Sequence, residues 1–135
     1  MEIRYNNYSD FLKQRYGIKV YKLPIAIPVT CPNRDGICGK AGCTFCGDIG
    51  AGYQHIPAEI GVKEQLDMHR GHIMDKYKAQ KFIAYFQNNT NTYLELESLM
   101  TYVREACEKD VVRIALATRP DCVSDEYLVR LAELK

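Results

Sequence analysis

The chain has 135 residues, 47% hydrophobic and 26% charged, a balance typical of one globular domain and not of a disordered protein. Its 18 basic and 17 acidic residues nearly cancel, so the composition gives no support for a large nucleic-acid-binding surface. No apolar run approaches the roughly 18 residues of a membrane span, and the polar, tyrosine-rich start does not resemble a secretory signal, so we expect a cytoplasmic protein whose thiols stay reduced.

After a short first helix, the predicted elements alternate between strands and helices. Apolar residues at helical spacing predict the first helix at 5–16, and Gly17 should end it. The β-rich stretch from Val20 to Val29 predicts a strand that opens directly into a cysteine-rich loop at 30–57. Beyond the loop, the pattern predicts the following order: a helix at 58–79, a buried strand at 81–86, a helix, a buried strand at 111–117 and a last helix.

Capping residues mark the starts of the last two helices. Thr92 and Glu95 fit a capping box, in which each side chain bonds a free backbone N–H of the first turn. Ser124 is the expected N-cap of the last helix. Leu128 and Leu131 should then face the core.

Repeated strand–helix units predict an α/β fold with parallel strands and right-handed crossovers. The cysteine loop, the segment at 87–92 and the segment at 118–121 each follow a predicted strand, so they should meet at one edge of the sheet. The third strand would keep an unpaired edge, which proteins usually cover. We therefore expect residues 1–135 to be the N-terminal portion of a longer domain.

The cysteine loop contains the stretch TCPNRDGICGKAGCTFC at 30–46, with the spacing Cys31-x6-Cys38-x4-Cys43-x2-Cys46. Three interpretations compete: a disulfide knot, a zinc site formed by all four thiolates, and an iron–sulfur cluster with an open iron. A reducing cytoplasm disfavours the disulfides. Zinc remains the main alternative, and His55 is a further candidate ligand for it.

The stretches CPNRDG and GCTFC resemble the cluster loop of radical S-adenosylmethionine proteins related to the elongator catalytic subunit. That group has a long-arm C-x11-C-x2-C motif, which Cys31, Cys43 and Cys46 match position for position, whereas Cys38 lies outside it. The resemblance extends over nearly the whole chain, through RYNNYSDFLKQRYGIKVYKL, KFIAYFQNNTNTY and ATRPDCVSD.

This resemblance implies a fold, two cofactors and an activity. The fold would be a partial TIM-type barrel, with three of about six βα units in this chain and the rest of the barrel outside it. Three cysteines would hold a [4Fe–4S] cluster and leave one iron for S-adenosylmethionine. Reductive cleavage, fed by a flavodoxin- or ferredoxin-like electron donor, would give a 5′-deoxyadenosyl radical for hydrogen abstraction, and the elongator relation suggests modification of a tRNA wobble uridine.

The resemblance also suggests which residues contact S-adenosylmethionine. Phe45 would lie near the adenine, with ordinary loop packing as the alternative. Gln87 or Asn88 would accept a hydrogen bond from the amino group, with a simple turn as the alternative. Arg119 would pair with the cofactor carboxylate or an anionic substrate, unless it forms only a local pair with Asp121.

Overall fold

The computed structural model describes residues 4–39, 42–47 and 56–134, and it has an α/β architecture. Three parallel strands form one sheet in the order β1-β2-β3. The strands are β1 (Val20–Ile25), β2 (Lys81–Phe86) and β3 (Val111–Leu116). The helices are α1 (Tyr8–Tyr16), α2 (Val62–Tyr77), α3 (Leu96–Glu105) and α4 (Asp125–Ala132), and a single 3-10 turn spans Pro120–Cys122.

The alternation of strands and helices confirms the predicted fold class. Crossover helices α2 and α3 join successive parallel strands, as the repeated strand–helix pattern requires. None of the helices in the described residues is both long and apolar enough to cross a membrane.

The main hydrophobic core lies between one face of the sheet and helices α2 and α3. Its largest side chains come from the strands and from the inner faces of both helices, and they are fully buried: Leu23, Ile25, Phe82, Phe86, Leu66, Leu99 and Val103. A smaller cluster on the opposite face of the sheet joins α1 to the strands through Leu12, Val20 and Ile83. Because β2 is the central strand and is covered on both faces, it shows the continuous apolar run that predicted it.

The third strand is the exception to this burial. We predicted a buried strand at 111–117, but every residue of β3 is only partly buried. Both β1 and β3 are edge strands in the described sheet, but α1 and α2 pack on β1, whereas no described helix packs as closely on β3.

Helix α1 ends as the sequence predicted. Gly17 follows the last turn with φ 70°, a left-handed conformation that costs glycine little, and its N–H donates to the Lys13 carbonyl at 2.8 Å. The helix begins at Tyr8, three residues later than expected, because the Asn7 side chain caps it by accepting from the Ser9 N–H.

The capping box predicted for α3 is wrong. Glu95 itself is the N-cap, and its carboxylate accepts from the backbone N–H groups of Glu97 and Ser98. The Thr92 hydroxyl instead pairs with that of Thr118, so it bridges the loops after β2 and β3.

Helix α4 agrees only in part with its prediction. Ser124 occupies the N-cap position, but its side chain makes no capping hydrogen bond. Leu131 packs against the main core as expected, whereas the inward assignment of Leu128 is wrong because this side chain is 56% exposed.

Strand β1 stops at Ile25, four residues before the predicted end. The fully buried Gln65 of α2 accounts for this, because its amide bonds both the N–H and the carbonyl of Ala26 at 2.8 Å. The same amide donates to the Ile60 carbonyl at 2.6 Å. Gln65 therefore occupies backbone groups that a longer strand would use, and it ties the end of β1 to the start of α2.

Candidate functional site

A cavity of about 520 Å³ lies at the C-terminal ends of the three strands. Its lining comes from the cysteine loop, from the end of β2 and the segment after it, and from the segment after β3. The residues from the last two segments are Tyr85, Gln87, Asn89, Thr90 and 117–119. The three segments that follow the strands therefore meet at one edge of the sheet, as predicted. In open α/β sheets this edge is where ligands bind.

All four cysteines of the loop line this cavity. Cys31, Cys43 and Cys46 are partly buried and Cys38 is exposed. All six cysteines of the chain fall within the described residues and are free thiols, so the structure gives no support to the disulfide interpretation.

The described side chains do not form a site for a single metal ion. No group of three or more His, Cys, Asp or Glu residues in these ranges is arranged to hold one. Tetrahedral zinc needs four ligands gathered at about 2.0–2.3 Å from one point. A four-iron cluster places different demands on its protein, because each thiolate binds its own iron and the sulfurs surround a larger group. His55, the further zinc candidate, lies outside the described residues.

The Cys31 thiol is surrounded by hydrogen-bond donors. The Thr90 hydroxyl donates to its sulfur at 3.1 Å. Burial alone would raise the pKa of Cys31, but hydrogen bonds from Thr90, from the Asn33 backbone and from Arg119 outweigh burial and lower the pKa. These hydrogen bonds therefore make the thiolate of Cys31 easier to form than that of an ordinary cysteine, and the thiolate is the form of cysteine that binds metals.

Asn33 connects a second cysteine to the loop after β3. Its side-chain N–H donates to the Cys43 sulfur at 2.8 Å, and its side-chain oxygen accepts from the Arg119 guanidinium. Our sequence interpretation assigned no role to Asn33 or to Thr90. Asn33 lies inside the CPNRDG motif, two residues after Cys31, which is the signal that could have identified it.

Arg119 forms the local pair with Asp121 that was the alternative considered for it, and it also lines the cavity. It forms a two-bond pair with Asp121, with Nε donating to Oδ1 at 2.9 Å and Nη2 to Oδ2 at 2.6 Å. This pair raises the pKa of Arg119 and lowers the pKa of Asp121. Because the same guanidinium also reaches Asn33 and lines the cavity, the local pair does not remove it from the site.

The other predicted cofactor contacts differ in their placement. Gln87 lines the cavity, and its backbone N–H donates to the Ile25 carbonyl at 3.2 Å. Asn88 is not part of the lining, and its side-chain oxygen is buried without a hydrogen-bond partner in the described structure. Asn89, with φ 58°, lines the cavity in its place and donates to the Val29 carbonyl at 2.8 Å. Phe45 lines the cavity and is 85% exposed, which does not fit ordinary loop packing.

The buried side chain of Asn91 connects the C-terminal ends of β2 and β3 by hydrogen bonds. It is fully buried, and its side-chain N–H group donates to the carbonyls of Phe86 at 3.0 Å and Ala117 at 2.9 Å. The position falls in the segment at 87–92 that follows β2, and nothing in its sequence context distinguishes it from the neighbouring asparagines. Its amide ties the ends of β2 and β3 and so sets the spacing of the segments that line the cavity.

Three bacterial and archaeal proteins are similar to nearly the whole chain. The uncharacterized protein YtqA of Bacillus subtilis is 38% identical over 138 residues, which cover 98% of this chain and 42% of YtqA. Protein YhcC of Escherichia coli K12 is 36% identical over 131 residues, covering 96% of this chain and 41% of YhcC. The uncharacterized protein MJ0486 of Methanocaldococcus jannaschii is 32% identical over 129 residues, covering 93% and 38%.

The chain thus spans about two fifths of the length of the curated relatives it matches. No protein-family model matches it, and no solved structure does.

Proposed function

We propose that this chain is part of a radical S-adenosylmethionine enzyme, in which Cys31, Cys43 and Cys46 hold a [4Fe–4S] cluster. One observation carries the proposal: these three thiols share a cavity with Gln87 and Arg119 at the C-terminal ends of parallel strands. This is the edge at which α/β folds place their chemistry. The proposal also agrees with the spacing of the three cysteines, which matches the long-arm cluster motif.

The donor set and its surroundings suit a cluster. The ligands would be thiolates, which the hydrogen bonds around Cys31 make easier to form, and Asn33 supports Cys43 with a direct N–H···S bond. Such bonds to sulfur are among the features that tune cluster potentials. The cavity of about 520 Å³ has the size of a small-molecule site. When bound, the cluster and S-adenosylmethionine would supply the one-electron chemistry needed for hydrogen abstraction from an unreactive carbon.

Three residues of this chain would orient the cofactor. Phe45 offers an exposed aromatic face for the adenine. The Gln87 side chain would accept a hydrogen bond from the methionine amino group, and Arg119 would pair with the carboxylate. Asn88 was the other candidate for the amino group, and its position outside the lining favours Gln87.

The complete enzyme would be larger than this chain. We propose a partial TIM-type barrel of about six βα units, of which β1 to β3 are the first three. The open edge of β3 and the greater length of the relatives support this. A cytoplasmic location, a flavodoxin- or ferredoxin-like electron donor and a tRNA wobble uridine as substrate are further parts of the proposal, and they rest on the resemblance alone.

A structural zinc site is the second candidate function. The observation in its favour is that Cys38 lines the same cavity as the other three cysteines. Four thiolates would close a tetrahedral site and leave no position for a cofactor.

Anaerobic reconstitution with iron and sulfide distinguishes the two candidates. We expect four irons per chain, absorbance typical of a [4Fe–4S] cluster, and a paramagnetic resonance spectrum of the reduced protein that changes when S-adenosylmethionine is added. Cys38→Ala should keep the cluster and Cys43→Ala should lose it. Cys107→Ala is the matched control, because Cys107 is an exposed thiol just after the end of α3 and does not line the cavity. This variant should behave like the unmodified chain. Stoichiometric zinc that is lost in Cys38→Ala would contradict the cluster and support the zinc site.

A further inference from the structure

The charged residues of the three strands all lie on one face of the sheet. The strands contain Lys22, Lys81 and Arg113 and no acidic residue. Parallel pairing aligns Lys22 with Ile83 and Ile83 with Arg113, while Lys81 lies two residues before Ile83. Because paired residues and residues two apart share a face, the three cations lie on the same side. The main core occupies the other side.

Two of these cations are held by neighbouring groups. The Arg113 guanidinium donates to the Tyr16 hydroxyl at 2.8 Å and lies 5.3 Å from the centre of the Phe11 ring. The Lys81 ammonium donates to the Lys109 carbonyl at 3.0 Å. Both cations are therefore engaged, Arg113 by α1 and Lys81 by the segment before β3.

Lys22 is different, because its side chain lies over the ring of Tyr85, which lines the cavity, although Lys22 itself is not part of the lining. It is exposed, and its ammonium lies 5.0 Å from the centre of the Tyr85 ring. No salt bridge to Lys22 is formed by the carboxylates of residues 4–39, 42–47 and 56–134. Asp10, the acidic residue of α1, lies 4.0 Å from Lys13 instead.

Tyr85 connects Lys22 to the cavity. Its side chain lines the cavity, and Pro24, two residues after Lys22, is its partner in the sheet register. Lys22 is therefore two residues before the level of Tyr85 in the sheet, next to the edge at which the cysteines lie. A positive charge without a counter-charge beside a concave site attracts and holds anions.

We propose that Lys22, oriented by the Tyr85 ring, binds an anionic group of the substrate, either a phosphate or a carboxylate, beneath the cysteine cavity. This inference rests on the proposed function, because only an enzyme has a substrate. The binding of the anion itself needs neither the cluster nor S-adenosylmethionine. The ammonium supplies a charged donor to the anion, and the ring limits the directions in which the long side chain can extend.

The test is an anion titration of the 135-residue chain, in which two-dimensional amide NMR measures the chemical shifts at each anion concentration. Inorganic pyrophosphate and citrate, which carry similar charge at neutral pH, are the two probes. We expect saturable shifts confined to the residues around Lys22 and Tyr85. Tighter binding of pyrophosphate would indicate a phosphate-bearing substrate, and tighter binding of citrate a carboxylate-bearing one.

Matched lysine and tyrosine variants test whether Lys22 and Tyr85 themselves form the anion site. Lys22→Met, which removes the charge and keeps most of the side-chain length, should weaken anion binding about tenfold, the usual contribution of one charge-assisted bond. Tyr85→Phe should bind normally because the ring remains, whereas Tyr85→Leu should bind more weakly. Lys76 also lies over a tyrosine ring, 5.2 Å from Tyr77, but on α2, so Lys76→Met is the matched control and should leave binding unchanged.

The proposal is overturned if neither anion gives saturable shifts near Lys22. It is also overturned if Lys22→Met and Lys76→Met bind both anions equally well. Because no iron is present in this titration, its failure leaves the reconstitution experiment intact. Conversely, a failed reconstitution with normal anion binding would remove the proposed chemistry and keep the anion site.

Discussion

Two polar side chains, Asn33 and Thr90, donate hydrogen bonds to cysteine sulfurs at the edge of the sheet. Asn33 bonds Cys43 at 2.8 Å and Thr90 bonds Cys31 at 3.1 Å. These bonds orient two of the thiols that the motif selects, whereas no described hydrogen bond reaches the sulfur of Cys38. No described hydrogen bond reaches the sulfur of Cys46 either, so the bonds support Cys31 and Cys43 but do not by themselves separate Cys38 from the other cysteines.

Asn91 gives the clearest prediction at the scale of one residue. Asn91→Ala should lower the free energy of unfolding by about 2 kcal/mol, because two buried side-chain hydrogen bonds are lost while the backbone bonds to the same two carbonyls remain. Urea unfolding followed by circular dichroism measures this loss. The exposed Asn6→Ala is the control and should change stability little.

A loss equal to that of Asn6→Ala would show that the Asn91 amide does not hold β2 to β3. In that case the spacing of the cavity-lining segments would need another explanation.

At the scale of elements, an ion-pair network fastens α2 to the segment between α3 and β3. Glu108 accepts from Lys63 at 2.7 Å and also pairs with Arg70. The hydrogen bond from Lys63 is the largest cause that lowers the pKa of Glu108, and Arg70 adds to it while burial opposes it. A carboxylate whose pKa is depressed by folding stabilises the folded state only while it is ionised.

The network predicts a pH-dependent stability difference. Above pH 4.5, the ordinary pKa of a glutamate, Glu108→Gln should lower the free energy of unfolding by about 1 kcal/mol, a value discounted for partial exposure. As the pH falls through the lowered pKa of Glu108, the carboxylate takes up a proton and the difference should vanish. Urea unfolding at several pH values measures this.

Glu59→Gln, at an exposed position outside the helices, is the control for this prediction. If the Glu108 variant lost the same stability at every pH, packing and not charge would be responsible.

At the scale of the molecule, the three strands differ in how well they are covered. β2 pairs on both sides and is almost entirely buried, whereas β3 is partly exposed along its whole length. A groove of about 550 Å³ runs beside β3, and the apolar side chains of Val103, Ile114 and Leu131 form part of its lining. An exposed apolar edge of this kind is normally covered by another strand or helix.

Hydrogen exchange should reveal this difference. We expect the amides of β3 to exchange faster than those of β2. The reason is that backbone groups along the open side of β3 have no partner strand and open easily. In a longer chain carrying the remaining length of the relatives, the β3 amides should become protected. Mass spectrometry of exchanged peptides at several protein concentrations measures this.

Protection of β3 equal to that of β2 at low concentration would contradict the open edge. Protection that appears only at high concentration would instead show that two copies pair through it.

The sequence alone determined the class of fold and the place of the site. Periodicity and glycine positions carry local information, so they predicted β2 from 81 to 86 and the end of α1 at Gly17. The order of strands and helices then implied a parallel sheet, and with it the meeting of the cysteine loop with Gln87 and Arg119 at one edge.

Only the tertiary structure decided which polar groups meet. Gln65 ends β1 through contacts 39 residues apart, and Asn33 bonds Arg119 across 86 residues, separations that no local pattern records. The exposure of Leu128 and β3 likewise depends on what packs beside them, and hydrophobicity by itself cannot report that. Local propensity determines the elements, whereas burial and hydrogen bonding between distant segments determine where their side chains act.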